Sequence, residues 1–232
     1  MLPRLAPTRN DLGRSVSDGV PAATPDLGLH RLPPAHGAIW DASSHYLARR
    51  DNDVHTIYSY GLARALVDLH PECDPEIVLP AILLHDSGWS QVPLDEIMQA
   101  LVPGYAANET IRRHEIEGAR IAREILENLG HAPADVDEIV EIIDGHDTRK
   151  HSLSLNDSLV RDADKLWRIT PRRVDTVMDW FGLDRDESLR LNSSRVFGHL
   201  FTDAARTMAR ALAAVGWVDT SPERVALDPT RR

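Results

Sequence analysis

Apolar residues recur along most of the chain at spacings of three and four, the period of an amphipathic helix. In an early segment, His55, Tyr58, Leu62, Ala65 and Leu69 fall on one predicted helical face, which puts a histidine among buried positions. We find no segment with the strict alternation of a half-buried strand. The pattern therefore predicts an all-α fold.

Turn and capping residues mark the ends of further helices. Asp74 and Pro75 are typical of an N-cap and first helical residue, and Asn108 begins a long helix that Gly130 ends. Gly145 marks the end of another helix, which starts near Ala134. The later chain is predicted to form helices near 156–169, starting at Asn156 or Asp157, near 171–181, and continuously from about Glu187 to Val215.

The ends of the chain differ from its middle. Residues 1–36 contain six of the fifteen prolines and no sustained hydrophobic period, which predicts a flexible arm. Residues 219–232 are predicted to be a C-terminal tail. Because no linker or repeat interrupts the sequence between them, residues 37–218 are predicted to form one domain.

Composition and charge limit the cellular compartment and the classes of partner that we expect. With 42% hydrophobic and 27% charged residues the chain is typical of globular proteins, and its net charge of −10 argues against a nucleic acid polymer or an anionic membrane as partner. A single cysteine, Cys73, favours a reducing compartment. We see no secretory signal and no apolar run long enough to span a membrane, so we expect a cytoplasmic location. The oligomeric state is not indicated.

Polar residues interrupt the apolar faces at several places. His85 and Asp86 directly follow the apolar run 77–84, and His114 and His146 lie on the buried faces of the next two helices, as His55 does on its own. A lone histidine on such a face is more often a hydrogen-bonded core residue than a metal ligand. Four on successive helices favour a shared metal ion, which both imidazole and carboxylate can bind. Asp162 and Asp164 flank the next apolar stripe, and periodicity does not decide which one points inward.

These residues occur in recognisable motifs. His55 is followed by Leu84-His85-Asp86-Ser87-Gly88, by His114-Glu115-Ile116-Glu117-Gly118-Ala119-Arg120, by His146, and by Val160-Arg161-Asp162-Ala163-Asp164-Lys165. Over residues 50–170 the sequence resembles the HD superfamily of metal-dependent phosphohydrolases. The resemblance implies a helical bundle with a metal site in its core.

The resemblance also implies a ligand set. The family's H…HD…D residues match His55, His85, Asp86 and Asp164, and the additional pair of its dinuclear branch matches His114 and His146. His55, His85 and Asp164 would hold one ion and His114 and His146 a second, with Asp86 bridging. Two divalent transition metal ions are expected, with Mn²⁺, Fe²⁺ or Co²⁺ suited to these ligands and Zn²⁺ a further option.

Other residues near the ligands are candidates for supporting roles. The resemblance suggests that Lys165 contacts a substrate phosphate, whereas an exposed lysine is the alternative. Asp147 could orient a ligand histidine or carry a proton, or simply end a helix. Arg112, Arg113 and Arg149 could bind phosphate, although a solvated charged face is the favoured interpretation for each. Trp89 stands where some relatives have lysine, and could line the pocket, stack on a base or pack in the core.

The function expected from this resemblance is hydrolysis of a phosphoester or phosphoanhydride in a small soluble phosphorylated substrate such as a nucleotide. A metal-activated hydroxide would attack phosphorus, with Asp86, Lys165 and Asp147 as the catalytic candidates. Two alternatives stay open. The six-ligand set also resembles the di-iron oxygenases of the superfamily, and a binding protein that senses a metal or ligand is the third.

Overall fold

The computed structural model describes residues 19–22, 24, 31–101, 108–218 and 220–223. The chain divides into two units, Met1–Leu32 and Pro33–Arg232, and the helices lie in the second. We number them α1 (Pro34–Ser43), α2 (Asn52–Leu69), α3 (Pro75–Leu84), α4 (Leu94–Leu101), α5 (Asn108–Asn128), α6 (Pro133–Ile143), α7 (Leu155–Trp167), α8 (Pro171–Phe181), α9 (Arg185–Ser194) and α10 (Asp203–Val218). Among the described residues there is no strand, so the predicted all-α class is confirmed.

Helix α3 forms the centre of the core. Residues 77–84 are all buried, and the helix packs against α1, α2, α5, α6 and α7. Asp74 caps it by accepting a hydrogen bond from the Glu76 amide at 2.9 Å, and Pro75 is its first residue, as predicted. Because the helix is buried on all sides, its C-terminal end delivers His85 and Asp86 into the interior.

Helix α2 buries a different face from the one predicted. His55 is buried, but Tyr58 and Leu69 are 43% and 58% exposed. The buried positions include Thr56, whose hydroxyl donates to the Asn52 carbonyl oxygen at 2.8 Å, and Ser59. The prediction was wrong because it counted only apolar residues, whereas small hydroxyl residues that satisfy their own hydrogen bonds can also face a core.

The single long helix predicted from Glu187 to Val215 is also wrong. Helix α9 ends at Ser194 and α10 starts at Asp203, and Gly198 between them has a φ of +92°. The Asp162 carboxylate holds this break by accepting bonds from the Phe201 and Thr202 amides and the Thr202 hydroxyl, at 2.8 to 2.9 Å. A hydrogen bond between distant segments leaves no trace in local periodicity.

The predicted limits of the domain remain predictions. Helix α1 begins at Pro34, so residues 34–36 of the predicted arm belong to the first helix, and the buried His36 ring bonds the Tyr60 hydroxyl at 2.7 Å. Helix α10 ends at Val218, next to the predicted tail. Most of the arm and most of the tail lie outside the described residues. No helix in the described part is both long and apolar enough to cross a membrane.

Candidate metal centre

Two helix ends and three helices bring six side chains together in the core. His85 and Asp86 follow α3, His146 follows α6, and the others lie on α2, α5 and α7. All are at most 8% exposed; they are His55, His85, Asp86, His114, His146 and Asp164. The structure thus gathers every residue proposed as a ligand, and groups of these side chains are close enough to hold metal ions.

The first half of the cluster contains His55, His85 and Asp164. The Nε2 atoms of the two histidines are 3.0 Å apart, and the Asp164 Oδ1 atom is 3.4 Å from Nε2 of His55 and 3.8 Å from Nε2 of His85. The Oδ2 atom of Asp164 is buried and has no hydrogen-bond partner among the described residues. This is the group predicted for the first metal ion.

The second half contains His114 and His146, whose Nε2 atoms are 3.4 Å apart. Asp86 lies between the halves. Its Oδ1 atom is 3.7 and 3.6 Å from the Nε2 atoms of His114 and His146, and its Oδ2 atom is 3.3 Å from Nε2 of His55. Oδ1 also lies 3.6 Å from Nε2 of His85, so the carboxylate is close to histidines of both halves, as a bridging ligand must be.

Backbone carbonyls fix which ring nitrogen of His85 and His146 carries the hydrogen when the ring is neutral. The Nδ1 atom of His85 lies 2.8 Å from the Ile82 oxygen, and that of His146 lies 2.9 Å from the Ile143 oxygen. A carbonyl only accepts hydrogen bonds, so each Nδ1 donates and each neutral ring presents its Nε2 lone pair to the cluster. Lone pairs that face one another at hydrogen-bond distance need a proton or a cation between them. The donor set therefore fits metal ions.

The pKa values of the clustered side chains also favour bound cations. Burial opposes ionisation of Asp86 and Asp164, but His85 beside Asp86 and the hydrogen bond from His55 to Asp164 outweigh it, and both pKa values lie well below the ordinary value. Burial lowers the pKa of His146, yet its bond to Asp86 and the nearby carboxylates raise it to about 9. Burial and His146 lower the pKa of His114 to about 4. The carboxylates thus hold positive charge within the core.

Trp89 and Glu115 fix the geometry around the second half. The Trp89 ring stacks on His114 with centroids 3.9 Å apart and planes 8° apart, and its Nε1 donates to Asp86 Oδ1 at 3.1 Å. Buried Glu115 accepts from the Asp147 amide at 2.8 Å and from the Thr148 amide at 2.7 Å. Trp89 therefore packs against the ligands, and Glu115 clamps the chain that follows His146.

The Asp147 carboxylate lies near the Nε2 atoms of His114 and His146, the atoms that would bind metal. Its Oδ2 atom is 3.8 and 3.9 Å from Nε2 of His114 and His146, and its side chain is 26% exposed. The backbone oxygen of Ile143 already orients His146, so the structure gives Asp147 no role in that task. Its pKa is lowered, since the neighbouring His146 outweighs burial, and at neutral pH it is an ionised proton acceptor.

A cavity of about 800 Å³ opens above the cluster. Several cations line it, and two of them have carboxylate partners: Arg112 bonds Glu115 at 3.0 Å, while an Arg168 nitrogen is 3.6 Å from both Asp147 and Asp164. Sequence analysis missed Arg168, although it lies four residues after Asp164 and hence on the same helical face. The cavity combines metal-binding groups with positive charge.

Other predicted phosphate contacts lie elsewhere. Lys165 lines a second cavity of about 340 Å³, with Nζ 3.5 Å from the Arg161 oxygen and 6.0 Å from the centre of the Phe201 ring. Arg113 pairs with Glu96 on the surface, and Arg149 bonds Asp157 and backbone oxygens next to that second cavity. Periodicity did not decide whether Asp162 or Asp164 points toward the ligands. Asp162 holds the break between α9 and α10 and is not among the clustered ligands.

Comparison with known proteins agrees with the motifs and the geometry. No curated protein and no solved structure matches the chain. The model of the HD domain family matches residues 52–169, which is half of the sequence and includes all six clustered residues. The chain therefore belongs to the HD-domain family, as its motifs predict.

Proposed function

We propose that this protein is a metal-dependent phosphohydrolase that cleaves a phosphoester or phosphoanhydride bond in a small phosphorylated substrate. The single observation that carries the proposal is the position of Asp86 between two histidine groups, beneath a cavity lined by cations. The family supports it, because HD-domain proteins are largely metal-dependent phosphohydrolases.

The metal ions would be held by the six clustered residues, with Mn²⁺, Fe²⁺ or Co²⁺ suited to the four imidazoles and two carboxylates. When bound, such ions lower the pKa of a water molecule toward neutrality and neutralise charge on phosphoryl oxygens. The side chains orient the metal-binding atoms. His85 and His146 are held as Nε2 donors by backbone carbonyls, and Asp86 keeps the two halves at a fixed separation.

The cavity residues would bind the substrate and accept the proton. Arg112 and Arg168 present guanidinium groups that can pair with phosphoryl oxygens, and their carboxylate partners hold them in place. Ionised Asp147 beside the second half can take the proton of the attacking water. Because Lys165 points into the second cavity, we assign substrate binding to Arg168 and Arg112 in its place.

The test is phosphate release under strictly anaerobic conditions. The protein is incubated with Mn²⁺, Co²⁺ or Fe²⁺ and a panel of nucleotides, sugar phosphates and aryl phosphates, and inorganic phosphate and nucleoside are measured. Hydrolysis needs neither oxygen nor a change of metal oxidation state, so Mn²⁺ and Co²⁺ should support turnover. His85→Ala should abolish it, while exposed His45→Ala serves as the matched control. Turnover seen only with iron and O₂ would replace this proposal with oxygenase chemistry.

A further inference from the structure

A second set of cations lines the same cavity but comes from other parts of the chain. Arg50 precedes α2, Arg173 lies on α8, and Arg195 directly follows α9. All three fall outside residues 52–169, the segment that matches the HD family. The metal ligands belong to the family segment, whereas these arginines are contributed by the surrounding chain.

These three arginines lack the partners that the other cavity arginines have. Within the part of the chain that the structure describes, no carboxylate lies at ion-pair distance from Arg50, Arg173 or Arg195. Burial lowers the pKa of Arg50 to about 10, and burial together with the neighbouring arginines lowers that of Arg173 to about 9. Asp86 and Asp164 offset part of this effect, but neither lies at ion-pair distance. Partly buried cations without an ion-pair partner cost free energy, and three of them together favour the binding of an external anion.

Unsatisfied hydrogen-bond donors accompany the charge. The Nε atoms of Arg50 and Arg173 are buried and have no partner among the described residues. Asn192 on α9 lines the cavity, is 2% exposed, and its Nδ2 atom is equally unpartnered. Unpaired buried donors are rare in folded proteins. The unpaired atoms of Arg50, Arg173 and Asn192 are all donors, and a ligand rich in acceptors would satisfy them together.

The structure also holds the guanidinium groups in place. Arg173 lies 4.6 Å and Arg50 5.8 Å from the centre of the Trp180 ring, distances at which a cation is attracted to an aromatic face. Arg50 and Asp51 have φ of +52° and +59°, two successive left-handed residues that are not glycine. Such conformations are energetically unfavourable for residues other than glycine, and they cluster at functional sites. The turn before α2 is strained where it presents Arg50 to the cavity.

We propose that Arg50, Arg173, Arg195 and Asn192 form a binding site for a second phosphate group, so that the substrate is a bisphosphorylated small molecule. This rests on the proposed function: one phosphoryl group lies at the metal centre while the other is held by the arginines. Phosphate suits the site better than carboxylate because it offers three oxygens and up to two charges to several guanidinium forks. The site thereby selects among phosphorylated substrates.

The binding test uses inorganic phosphate as the probe and the full-length protein, with and without EDTA, in isothermal titration. Wild type should keep one phosphate site per chain after the metals are removed. Arg173→Gln and Arg195→Gln should each weaken that site at least about tenfold, since a charged hydrogen bond is lost. The matched control is Arg190→Gln on α9, an exposed arginine paired with Asp186. No phosphate binding with EDTA present, or equal loss in the control, would overturn the proposal.

Thermal unfolding separates a binding role from a structural one. Because the three cations repel one another, Arg173→Gln should leave the melting temperature unchanged or raise it, and it should weaken phosphate binding. Added phosphate should raise the melting temperature of wild type more than that of the variant. If Arg173→Gln unfolds at a lower temperature and still binds phosphate as wild type does, the arginine only supports the fold and the proposal fails.

A kinetic comparison distinguishes a substrate phosphate from free phosphate acting as an effector. The metal-loaded protein should hydrolyse fructose 1,6-bisphosphate or adenosine 3′,5′-bisphosphate with a kcat/KM at least about tenfold above the matching monophosphates, and Arg195→Gln should remove this preference. Activation of monophosphate hydrolysis by inorganic phosphate would overturn the assignment to a substrate. If no phosphate ester is hydrolysed but the EDTA-resistant site is present, the proposed function fails and the arginine site stands.

Discussion

The Asp86 carboxylate lies close to histidines of both halves of the cluster. Each of its oxygens faces different histidines, and Trp89 fixes the orientation of the carboxylate through Oδ1. Asp162 is just as buried, yet its oxygens are occupied by the segment before α10. Two buried aspartates therefore have separable tasks, one in the metal site and one in the fold.

Replacing these two aspartates should separate metal binding from stability. Asp86→Ala should lower metal affinity by more than the roughly 10- to 100-fold typical of residues that only support a ligand. Asp162→Ala should keep the metals but lower the free energy of unfolding by about 1–3 kcal/mol, because buried amides lose their acceptor. Elemental analysis and urea unfolding measure the two effects. Similar metal loss in both variants would mean that the site is wrongly assigned.

Metal binding should release protons at neutral pH because His146 is protonated in the metal-free protein. Its pKa of about 9 lies above pH 7, while a ligand imidazole must be neutral at Nε2. Affinity should therefore rise with pH up to about 9 and level off above it. Titration calorimetry at pH 7 in buffers of different ionisation enthalpy should give about one or more protons released per chain. Proton uptake, or no pH dependence between 7 and 9, would contradict this charge assignment.

Glu115 offers a test of how the second half is held. It adjoins His114 and accepts hydrogen bonds from the Asp147 and Thr148 amides. Glu115→Gln puts a side-chain NH₂ group, a donor, next to the backbone N–H groups of Asp147 and Thr148, which are also donors. The clamp should loosen, and metal affinity at the second half should fall about 10- to 100-fold. Glu117→Gln, on the outer side of the same helix and paired with Arg120, should leave it unchanged. Equal affinity in both variants, from competition with a fluorescent chelator, would rule out the clamp.

At the scale of elements, the site depends on the close approach of α5 to the turn after Asp86. A Cβ atom on Gly88 would collide with the His114 carbonyl oxygen and the Gly118 amide nitrogen, and one on Gly118 would lie 3.1 Å from the His85 oxygen. Both contacts are with backbone atoms, which cannot rotate away. Two glycines thus let α5 bring His114 next to His85 and Asp86.

A methyl group at Gly88 should therefore separate these segments. Gly88→Ala is expected to lower the free energy of unfolding by about 1–3 kcal/mol or more, as overpacking does, and to reduce metal affinity. Gly61→Ala is the control: a Cβ there meets nothing within 4 Å, and alanine in the middle of α2 should stabilise by roughly 0.5–1 kcal/mol. Chemical denaturation measures both. A Gly88→Ala protein as stable as wild type would show that the helices can move apart freely.

Helices with strong local signals were predictable, and those governed by distant contacts were not. Pro75 and Pro171 mark helix starts that the structure keeps, and positive φ values at Gly130 and Gly145 follow helix ends at the predicted places. The buried side of α2 includes Ser59, whose hydroxyl bonds the His55 ring one turn earlier, and the break after α9 depends on Asp162, whose carboxylate bonds a distant segment. Local apolar spacing carries no information on such bonds.

For the whole molecule, the six clustered residues could be predicted because they end or join apolar stripes and match a family motif. The arginine site could not, because Arg50, Arg173 and Arg195 lie on separate elements beyond the motif and each resembles an ordinary surface cation in sequence. Only the packing of α8 and α9 beside the metal centre brings them into one cavity. Family motifs thus predict the clustered metal-binding residues, whereas the proposed phosphate site depends on the surrounding fold.

The most direct test of the account is the number of metal ions held per chain. Protein reconstituted with Mn²⁺ or Co²⁺ and freed of excess metal should contain close to two ions by elemental analysis. Without a second ion, the buried Nε2 atoms of His114 and His146 would face each other with no cation between them. His114→Ala and His146→Ala should each reduce the content toward one. A content fixed at one ion in wild type, unchanged by either substitution, would contradict the dinuclear centre.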